Sequence, residues 1–509
     1  MRSILPFLRN AGDTRSALVT LGAAMVAALA VLVVAGSGSV KVIGAAMAGC
    51  MFLAGAIVSG NPRLFSLYGL MLAVPFDLSK RFGPIIAKMG GETSLRVEFS
   101  DVFLIVLLAY IVRDLATGRL GGLRIPKITY IWLVVVGFGL AAVLWGTYRL
   151  TAAHEVVRML KVTLLFIVVC NELGTPQRLL HCAAGLSLGV LLQAMVGMYQ
   201  YATRQHLGLD ILGETGAGTT DQLAADSVRA EAVFRVGAFL NHPNIFGAYL
   251  AALLPMSLSV FLLKKGGPMK AMCMAAAALG SAALMASLSR SGWLSFAVAC
   301  LVLVVLVLLH GRLRMKVLLP AGAAAMVLAV VLMAFSGPII NRIFESKPDA
   351  ILGRAEYNRT AAGIIAAKPW LGHGLNSYVY VAPPYTRYGP RKAAAVYENW
   401  LPPVHNIYLL WTAETGYIGL GVHLALLVSL LSVAIRNLKV RDETLFMINV
   451  ACLCGVAALM VDGFFSFTLR INSVMRVFWV LAAMIMAIHY LHLREPRTAS
   501  LASDTPRAA

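Results

Sequence analysis

The sequence predicts an all-α polytopic membrane protein with about 12–14 transmembrane helices, the number being a count of apolar segments. Of its 509 residues, 59% are hydrophobic and only 13% are charged, whereas about one-quarter of the residues in a soluble domain are charged. Apolar windows of about 20 residues, the length that crosses a bilayer, recur almost from end to end. Together these observations exclude a soluble enzyme.

Fourteen apolar segments define the predicted spans, and the third and fourth are short enough to be re-entrant or interfacial, which would leave twelve. The N-terminal stretch resembles a signal peptide with a cleavage point near Ala35, but its length and the apolar run that follows it favour an uncleaved first span. The segments are 17–36, 41–60, 64–77, 99–113, 128–147, 155–172, 178–201, 239–263, 270–289, 292–310, 316–336, 405–435, 444–462 and 472–492.

Basic residues in the short connections set the predicted orientation. They fall on one side of the membrane if every segment crosses, which places both termini in the cytoplasm. The net charge of +20 fits loops that face anionic headgroups or an anionic ligand. Nucleic acid is not an expected partner, because Lys and Arg lie between apolar spans and not on a polar domain. All seven cysteines lie in apolar stretches, so we expect neither a disulfide nor a metal site.

The same orientation places two long polar segments outside, and long connections of this kind usually carry a function. The predicted organisation follows from them. It comprises N-terminal helices with an outer loop over 202–235 (1–235), central helices (236–335), a long, partly helical outer loop (336–404), C-terminal helices (405–492) and a cytoplasmic tail expected to be disordered (493–509).

Two motifs lie at the outer ends of the central spans. The Asn-His-Pro-Asn run at 241–244 is typical of a helix start and needs no function as a cap, whereas Arg235 before it is the residue there with a further expected role. The Ser-Arg-Ser-Gly run at 289–292 predicts a tight turn with open backbone N–H groups, and Arg290 supplies a bidentate fork for phosphate oxygens. Snorkelling of Arg290 to the headgroups is the alternative.

The long outer loop carries two further motifs. Arg354, Asn358 and Ala361 share a helical face by their spacing. The Lys-Pro-Trp-Leu-Gly-His-Gly run at 368–374 must make a close turn at its Gly-His-Gly. It is not a dinucleotide fingerprint, because the third glycine is missing and no strand precedes it.

His405 follows two prolines and opens a helix, where the positive end of the helix dipole disfavours the imidazolium. A neutral imidazole is the form that a general base needs, although a lone histidine at a membrane interface is more often an anchor than a catalyst. Helical spacing places five residues on one face, and the two glycines among them would let a neighbouring helix approach closely. These residues are His405, Tyr408, Thr412, Gly416 and Gly419.

Predicted spans also contain charged residues such as Glu414, Arg158 and Lys161, and charge there is costly unless it faces a ligand, a cavity or a partner. Glu414 lies on the face opposite His405 and is predicted to be a buried counter-ion for another basic side chain. Arg158 and Lys161 are predicted either to contact an anionic ligand or to pair with Glu414 or Glu155.

The motifs together resemble the bacterial O-antigen ligase and O-antigen (exopolysaccharide) polymerase superfamily, over approximately Arg235–Gly421. The resemblance rests on Ser-Arg-Ser-Gly, Gly-Arg in a long outer loop, Lys-Pro-Trp-Leu-Gly-His-Gly, and His-Asn followed after nine residues by Gly-x-x-Gly. It implies a GT-C-like glycosyltransferase of the bacterial inner membrane that acts at the periplasmic face. It further implies an undecaprenyl-diphosphate-linked glycan as donor, and no metal, nucleotide or other cofactor.

Carried over by motif, the resemblance implies that Arg290 and Arg354 bind the diphosphate and that His405 is the catalytic base. Arg235, Arg158 and Lys161 are added as further predicted diphosphate contacts. The predicted supporting positions are Asn406, Tyr408, Asn358, Trp370, Gly372, Gly374, Gly416 and Gly419.

Two glycan reactions are compatible with these motifs. A polymerase would pass the growing chain to the next lipid-linked unit, whereas a ligase would pass it to lipid A-core or another acceptor. We take the polymerase first, because the long aromatic loop and the additional outer segment suit a groove for an extended glycan. The alternative from another class is a transporter or flippase of the same anionic lipid, which predicts charges along a central cavity on several helices.

Overall fold

The computed structural model describes residues 55–56, 59–76, 78–84, 91–209, 214, 234–263, 267–309, 348–387 and 402–503. The chain divides into two compact units, Met1–Gly69 and Leu70–Ala509. The first unit contributes the start of helix α1 to the described residues, and every site discussed below lies in the second.

The described residues form thirteen α-helices and one short hairpin, which confirms the predicted all-α class. The helices are α1 Pro62–Ala73, α2 Phe99–Ala116, α3 Ile128–Trp145, α4 Arg149–Glu172, α5 Pro176–Thr203, α6 Pro243–Leu262, α7 Pro268–Ala286, α8 Arg290–Leu309, α9 Pro348–Ala367, α10 Tyr378–Val381, α11 Ile407–Arg436, α12 Glu443–Asp462 and α13 Asn472–Ser503. Short 3-10 turns cover Ala238–Leu240, Pro383–Tyr385, Asn437–Lys439 and Thr468–Arg470.

Seven of the described helices are long and apolar enough to cross a membrane, namely α3, α5, α6, α7, α11, α12 and α13 up to Leu493. Helix α8 adds a shorter apolar helix over Arg290–Leu306. Each of these helices coincides with a segment predicted from hydropathy, because a run of about 20 apolar residues has few stable alternatives to a spanning helix. The multi-pass membrane architecture is therefore confirmed.

The other predicted spans have different outcomes. Segment 155–172 lies inside α4, whose charged residues, among them Glu155, Arg158 and Lys161, keep it outside this group of apolar helices. Segment 64–77 corresponds to α1, which has only 12 residues, and segment 99–113 to α2, which also carries charges. The predicted spans 17–36 and 316–336 and most of 41–60 lie outside the described residues, as does the predicted cleavage point.

The hairpin was not predicted. Strands β1 (Ser79–Phe82) and β2 (Leu95–Glu98) pair antiparallel, with Ser79 opposite Glu98. Side chains alternate between the faces of a strand, so the buried Glu98 points inward while Val97 beside it is exposed. Glu98 also begins α2, and its N–H donates to the Asp101 carboxylate at 2.8 Å. The hairpin thus carries a carboxylate into the protein beside α4.

Helix α6 lies at the centre of the bundle and packs against α5, α7, α8 and α12. Glycines permit these close approaches: a side chain at Gly292 of α8 would collide with the backbone of Gly247 in α6, and one at Gly455 of α12 with the carbonyl of Ala252. At the other end of α12, the Ile407 N–H donates to the Gly463 carbonyl at 2.8 Å. These contacts bring the starts of α6, α8 and α11 and the end of α12 together.

Candidate functional site

Arg235 stabilises the turn that precedes α8 through hydrogen bonds. Its guanidinium donates to the carbonyls of Ser287 and Leu288, at 3.2 and 3.3 Å, and to the Asn244 side chain at 2.9 Å. Leu288 has a φ of 51°, an unusual conformation for a branched residue, and these bonds help to hold it. Arg235, predicted to bind diphosphate, therefore also braces the chain just before Arg290.

The Ser-Arg-Ser-Gly run forms the start of α8, with the half-buried Arg290 as its first residue. The hydroxyl of Ser289 accepts a hydrogen bond from the Gly292 N–H at 3.3 Å and lies 3.3 Å from the hydroxyl of Ser291. Of the backbone N–H groups that were predicted to be open in this run, that of Gly292 is not, because the Ser289 hydroxyl caps it as N-cap residues do. A ligand at this turn would meet the Arg290 side chain.

Helix α9 supplies Arg354 and Tyr357 from the long outer loop. The Arg354 side chain is substantially exposed, as are Asn358 and Arg359, whereas Ala361 is buried. The shared face of Arg354, Asn358 and Ala361 thus passes from the surface into the protein. Burial and then the Arg290 charge lower the pKa of Arg354, so these two guanidinium groups lie close enough to repel each other.

His405 is held between two aromatic rings immediately before α11. Its ring stacks on Tyr357 at 5.7 Å between centroids and meets the edge of Phe467 at 5.4 Å. The predicted supporting residue Asn406 is the N-cap of α11 and accepts hydrogen bonds from the N–H groups of Tyr408 and Leu409, at 3.0 and 3.1 Å. The Nδ1 atom of His405 is buried and has no hydrogen-bond partner among the described residues.

The electrostatics of this end of the protein favour neutral imidazoles. Burial and then the Arg354 charge lower the pKa of His405 to about 4, as expected for a desolvated base beside a cation. The pKa of His242 is likewise lowered to about 4 by burial, then by Arg235 and His405. His242 also caps α6, since its Nδ1 accepts from the Asn244 N–H at 3.1 Å. The cap interpretation of 241–244 is therefore confirmed, and it places a second histidine near the first.

These pairwise effects connect residues that are far apart in the chain. Arg290 acts on Arg354, Arg354 acts on His405, and His405 acts on His242. We call Arg235, His242, Arg290, Arg354 and His405 the cationic cluster. It combines concentrated positive charge with an unprotonated imidazole, which is the combination that an anionic leaving group and a general base require.

The Lys-Pro-Trp-Leu-Gly-His-Gly run packs onto a break in α11. Gly416 has a φ of 69°, which interrupts the helix, and Gly372 and Gly374 have φ values of 69° and 105°. The Tyr417 N–H donates to the Pro369 carbonyl at 2.7 Å, and the Gly374 N–H donates to the Glu414 carbonyl at 2.8 Å. The predicted close turn is therefore confirmed, and the loop supplies partners to the interrupted helix.

Two predictions about α11 are wrong in consequence. The partner that approaches Gly416 closely is the backbone of Trp370 and Leu371, a loop and not a neighbouring helix. The atoms nearest to a side chain at Gly419 would be those of Thr415 in the same helix. Because the helix breaks at Gly416, the face that runs down from Tyr408 does not continue unchanged through both glycines. Helical spacing alone cannot reveal such a break.

Glu414 is a buried counter-ion, as predicted. Its carboxylate pairs with Arg470 at 2.8 Å, and Arg470 also pairs with Glu155 at 3.4 Å. Glu155 in turn pairs with Arg158, whose guanidinium donates to Asn472 at 3.0 Å. We call Glu155, Arg158, Glu414 and Arg470 the buried ion network; all four side chains are almost completely buried.

Arg158 and Lys161 therefore occupy positions different from those of the cationic cluster. Arg158 belongs to the buried ion network, and Lys161 pairs with Asp101 at 2.8 Å and Glu98 at 3.3 Å. The structure thus supports the alternative of carboxylate pairing, with Glu155 as one of the two partners anticipated. Because each cation is already matched by a carboxylate, neither offers a free charge to a diphosphate.

Asp462 was missed by the sequence reasoning. It is completely buried at the end of α12 and accepts a hydrogen bond from Thr468, and the Ser291 hydroxyl faces the same carboxylate. Its Oδ1 has no hydrogen-bond partner among the described residues. A carboxylate within a spanning segment is costly and therefore itself a signal of function. Arg476 in α13 was missed although the same signal applies to it, and Arg470 was missed because it lies just before that span.

The other predicted supporting residues have structural contacts or exposed positions. The Tyr408 hydroxyl donates to the Met460 carbonyl at 2.8 Å, which ties α11 to α12. The Asn358 side chain is exposed on α9, and Trp370 is 68% exposed at the tip of its loop.

A comparison with known families matches residues 275–424 to the O-antigen ligase family. The matched range contains Arg290, Arg354 and His405 and ends shortly after Gly419, whereas Arg235, His242 and Asp462 lie outside it. No curated protein matches the chain significantly. The match supports a membrane glycosyltransferase of the O-antigen ligase or polymerase type, a family of the inner membrane. The resemblance to that superfamily is therefore confirmed over residues 275–424.

Proposed function

We propose that this protein is an inverting, metal-independent glycosyltransferase of the inner membrane. It transfers a glycan from undecaprenyl diphosphate to an acceptor hydroxyl at the periplasmic face. The observation that carries the proposal is the stacking of His405 on Tyr357 at 5.7 Å between ring centroids. Tyr357 is one helical turn from Arg354 on α9, and the Arg290 charge acts on Arg354. Two adjacent guanidinium groups repel each other until an anion lies between them, and a diphosphate matches their paired donors.

The proposed reaction uses the neutral His405 as a base and the positive charges of Arg290 and Arg354 as stabilisers of the leaving group. His405 takes the proton of the acceptor hydroxyl, and the acceptor oxygen forms a bond to the anomeric carbon of the donor. The bond from that carbon to the diphosphate oxygen breaks on the opposite face, and its electron pair stays on the diphosphate. Arg290 and Arg354 stabilise the developing charge, which is a large contribution in a site shielded from water. Attack opposite the leaving group inverts the anomeric centre.

His405 suits this role because it is neutral before the reaction. Its lowered pKa, caused by burial and by Arg354, keeps the imidazole unprotonated at neutral pH. Tyr357 and Phe467 fix the plane of the ring, which restricts the direction from which a hydroxyl can approach. General-base assistance of this kind is worth about 10²- to 10⁴-fold in rate.

Two residues act through Arg290 in this proposal. Arg235 holds the carbonyls that precede it, and Asp462 faces the Ser291 hydroxyl that follows it. We propose that both are positioning residues for the turn that presents Arg290 to the diphosphate.

Of the two glycan reactions, we propose polymerisation. The next lipid-linked unit is then the acceptor, and the length of the polar segments 202–235 and 336–404 in the sequence suits an extended glycan. Lipid A-core as acceptor would make the protein a ligase, so supplying the two acceptors separately to one donor preparation distinguishes the reactions.

Reconstitution tests the proposal. Purified protein in liposomes with lipid-linked glycan and an acceptor should release undecaprenyl diphosphate and form a longer glycan, also in the presence of EDTA. Movement of the donor across the bilayer without diphosphate release would contradict it and support a flippase. The flippase is not favoured by the buried charges, because Glu155, Arg158, Glu414 and Arg470 pair with one another.

A further inference from the structure

The tip of the 368–374 loop is apolar and exposed. Trp370 and Leu371 are 68% and 64% exposed, and Tyr417 and Ile418, onto which the loop packs, are 53% and 49% exposed. The Trp370 and Tyr417 rings lie 6.4 Å apart between centroids. Four large apolar side chains thus form one patch, and such patches mark a surface that is covered in the cell.

The patch continues the apolar stripe of a membrane-spanning helix. Below the break, α11 exposes Tyr417, Leu424, Val428 and Ile435, positions separated by 7, 11 and 18 residues from the first and therefore on one helical face. Helix α11 is itself one of the seven candidate spans, so this face contacts lipid. Trp370 and Leu371 lie at the upper end of the same face.

The depth of the patch follows from the length of the helix. The 30 residues of α11 extend over about 45 Å, the thickness of a bilayer with its headgroups. Tyr417 lies ten positions after Ile407, which is about 15 Å further along the axis, and each headgroup layer is only about 5–7 Å thick. The patch therefore lies at or below the headgroup boundary.

The polar backbone groups of the loop have the hydrogen-bond partners that such a depth requires. Non-helical backbone inside a membrane requires that its polar groups find protein partners. The carbonyls of Pro369 and Trp370 accept from the N–H groups of Tyr417 and Ile418, at 2.7 and 3.3 Å. The N–H groups of His373 and Gly374 donate to the α11 carbonyls of Ala413 and Glu414, at 3.1 and 2.8 Å. These backbone N–H and C=O groups of the loop and of the interrupted helix are therefore hydrogen-bonded to each other.

We infer that residues 369–372 form a re-entrant wedge, which inserts Trp370 and Leu371 into the phospholipid leaflet where α11 begins. The partner of this patch is the lipid bilayer. The exposed Lys368 before the wedge suits an anionic headgroup. The wedge fixes the height of the α9 segment, and hence of Arg354, above the bilayer. The inference is independent of the proposed glycosyl transfer, since it concerns only the placement of the loop.

Brominated phospholipid quenches the fluorescence of tryptophans that it touches, and iodide quenches those in water. The full-length protein and its Trp370→Phe and Trp145→Phe variants are placed in nanodiscs of ordinary or 6,7-dibrominated phosphatidylcholine. The wild-type spectrum minus each variant spectrum isolates one tryptophan. Trp145, which is 79% exposed at the end of α3, serves as the interfacial reference.

The wedge predicts that the ratio of bromolipid to iodide quenching for Trp370 equals or exceeds the ratio for Trp145. A lower ratio overturns the inference, because the ring would then lie in water, as a stacking platform for a sugar would. Both substitutions affect exposed rings, so neither variant should lose its fold. Loss of glycosyl transfer in every sample would contradict the proposed function and leave this measurement unaffected.

Discussion

The protein contains two groups of charges, the cationic cluster and the buried ion network, and they differ in how their charges are balanced. In the buried ion network, two carboxylates face two guanidinium groups, and contacts such as Arg470 to Glu414 at 2.8 Å join them. In the cationic cluster, Arg354 is close to Arg290 and to the neutral His405, and the described residues provide no carboxylate that pairs with Arg354.

This difference indicates which of the two groups of charges binds an anionic ligand. Isolated buried charges are costly, and ions that pair internally serve mainly to avoid that cost. A cation such as Arg354, for which the described residues provide no carboxylate partner, retains the capacity to bind an anion. Abundance of charge alone would favour the buried ion network as the site, whereas the balance of charge favours the cationic cluster.

Removing the base should produce the largest effect. His405→Ala should reduce kcat by about 10²- to 10⁴-fold, since the acceptor hydroxyl then loses its proton to water. The melting temperature should change little. Release of undecaprenyl diphosphate and thermal unfolding are measured on the same preparation. Near-normal transfer by the variant would remove His405 from the mechanism.

Breaking the buried ion network should instead affect folding. Glu414→Gln leaves Arg470 with an incomplete set of partners and should cost about 3–5 kcal/mol of unfolding free energy. Activity per folded molecule should fall far less than in His405→Ala. The control is Glu443→Gln at the start of α12, which should cost at most about 1 kcal/mol. The double variant Glu414→Gln with Arg470→Gln should lose less than the two single losses combined. An unchanged melting temperature of Glu414→Gln would refute the structural role.

Neutralising one arginine of the cationic cluster should give an intermediate loss of rate. Arg290→Gln and Arg354→Gln should each lower kcat by about 10²- to 10³-fold, the usual cost of removing one donor to a developing anion. Steady-state release of the lipid diphosphate measures the effect. Lys161→Gln is the matched control, because that cation is already paired with Asp101. If Lys161→Gln lost more rate than Arg290→Gln and Arg354→Gln, diphosphate binding would be assigned to Lys161 and not to the two arginines.

The pH profile gives the smallest and most specific effect. A base works only when deprotonated, and burial with the Arg354 charge places the pKa of His405 at about 4. The kcat/KM value for free enzyme should therefore stay level from neutral pH down and fall only as the pH drops through about 4. Removing the positive charge in Arg354→Gln raises the pKa, so the acid limb should move upward in pH. If the acid limb of the pH profile does not move in Arg354→Gln, the Arg354 charge does not lower the pKa of His405.

Much of this architecture could be predicted from the sequence, for identifiable physical reasons. Spanning helices such as α12 follow from hydropathy, because an apolar run of that length has few other stable states. Arg290, Arg354 and His405 were selected by their motifs, and the role of Glu414 as a counter-ion was selected by helical phase. Each of these signals is local to a short segment.

What could not be predicted depends on contacts between distant segments. The break at Gly416 forms because a loop more than forty residues upstream supplies its backbone partners, and no periodicity within α11 indicates it. Arg158 could have faced a ligand or a carboxylate, and only the fold shows that the Arg470 carbonyl and the Asn472 side chain, more than 300 residues downstream, lie against it. Asp462 could have been found from the sequence, since a carboxylate in an apolar span is a signal in itself.

Binding of undecaprenyl diphosphate, the leaving group without its glycan, tests the central claim most directly. Affinity is measured in nanodiscs for wild type, His405→Ala, Lys161→Gln and the double variant Arg290→Gln with Arg354→Gln. We predict that His405→Ala and Lys161→Gln bind as tightly as wild type. The double variant should bind at least about 10²-fold more weakly, because each charge-assisted hydrogen bond contributes about 1.5–3 kcal/mol. Undiminished binding by the double variant would contradict the account.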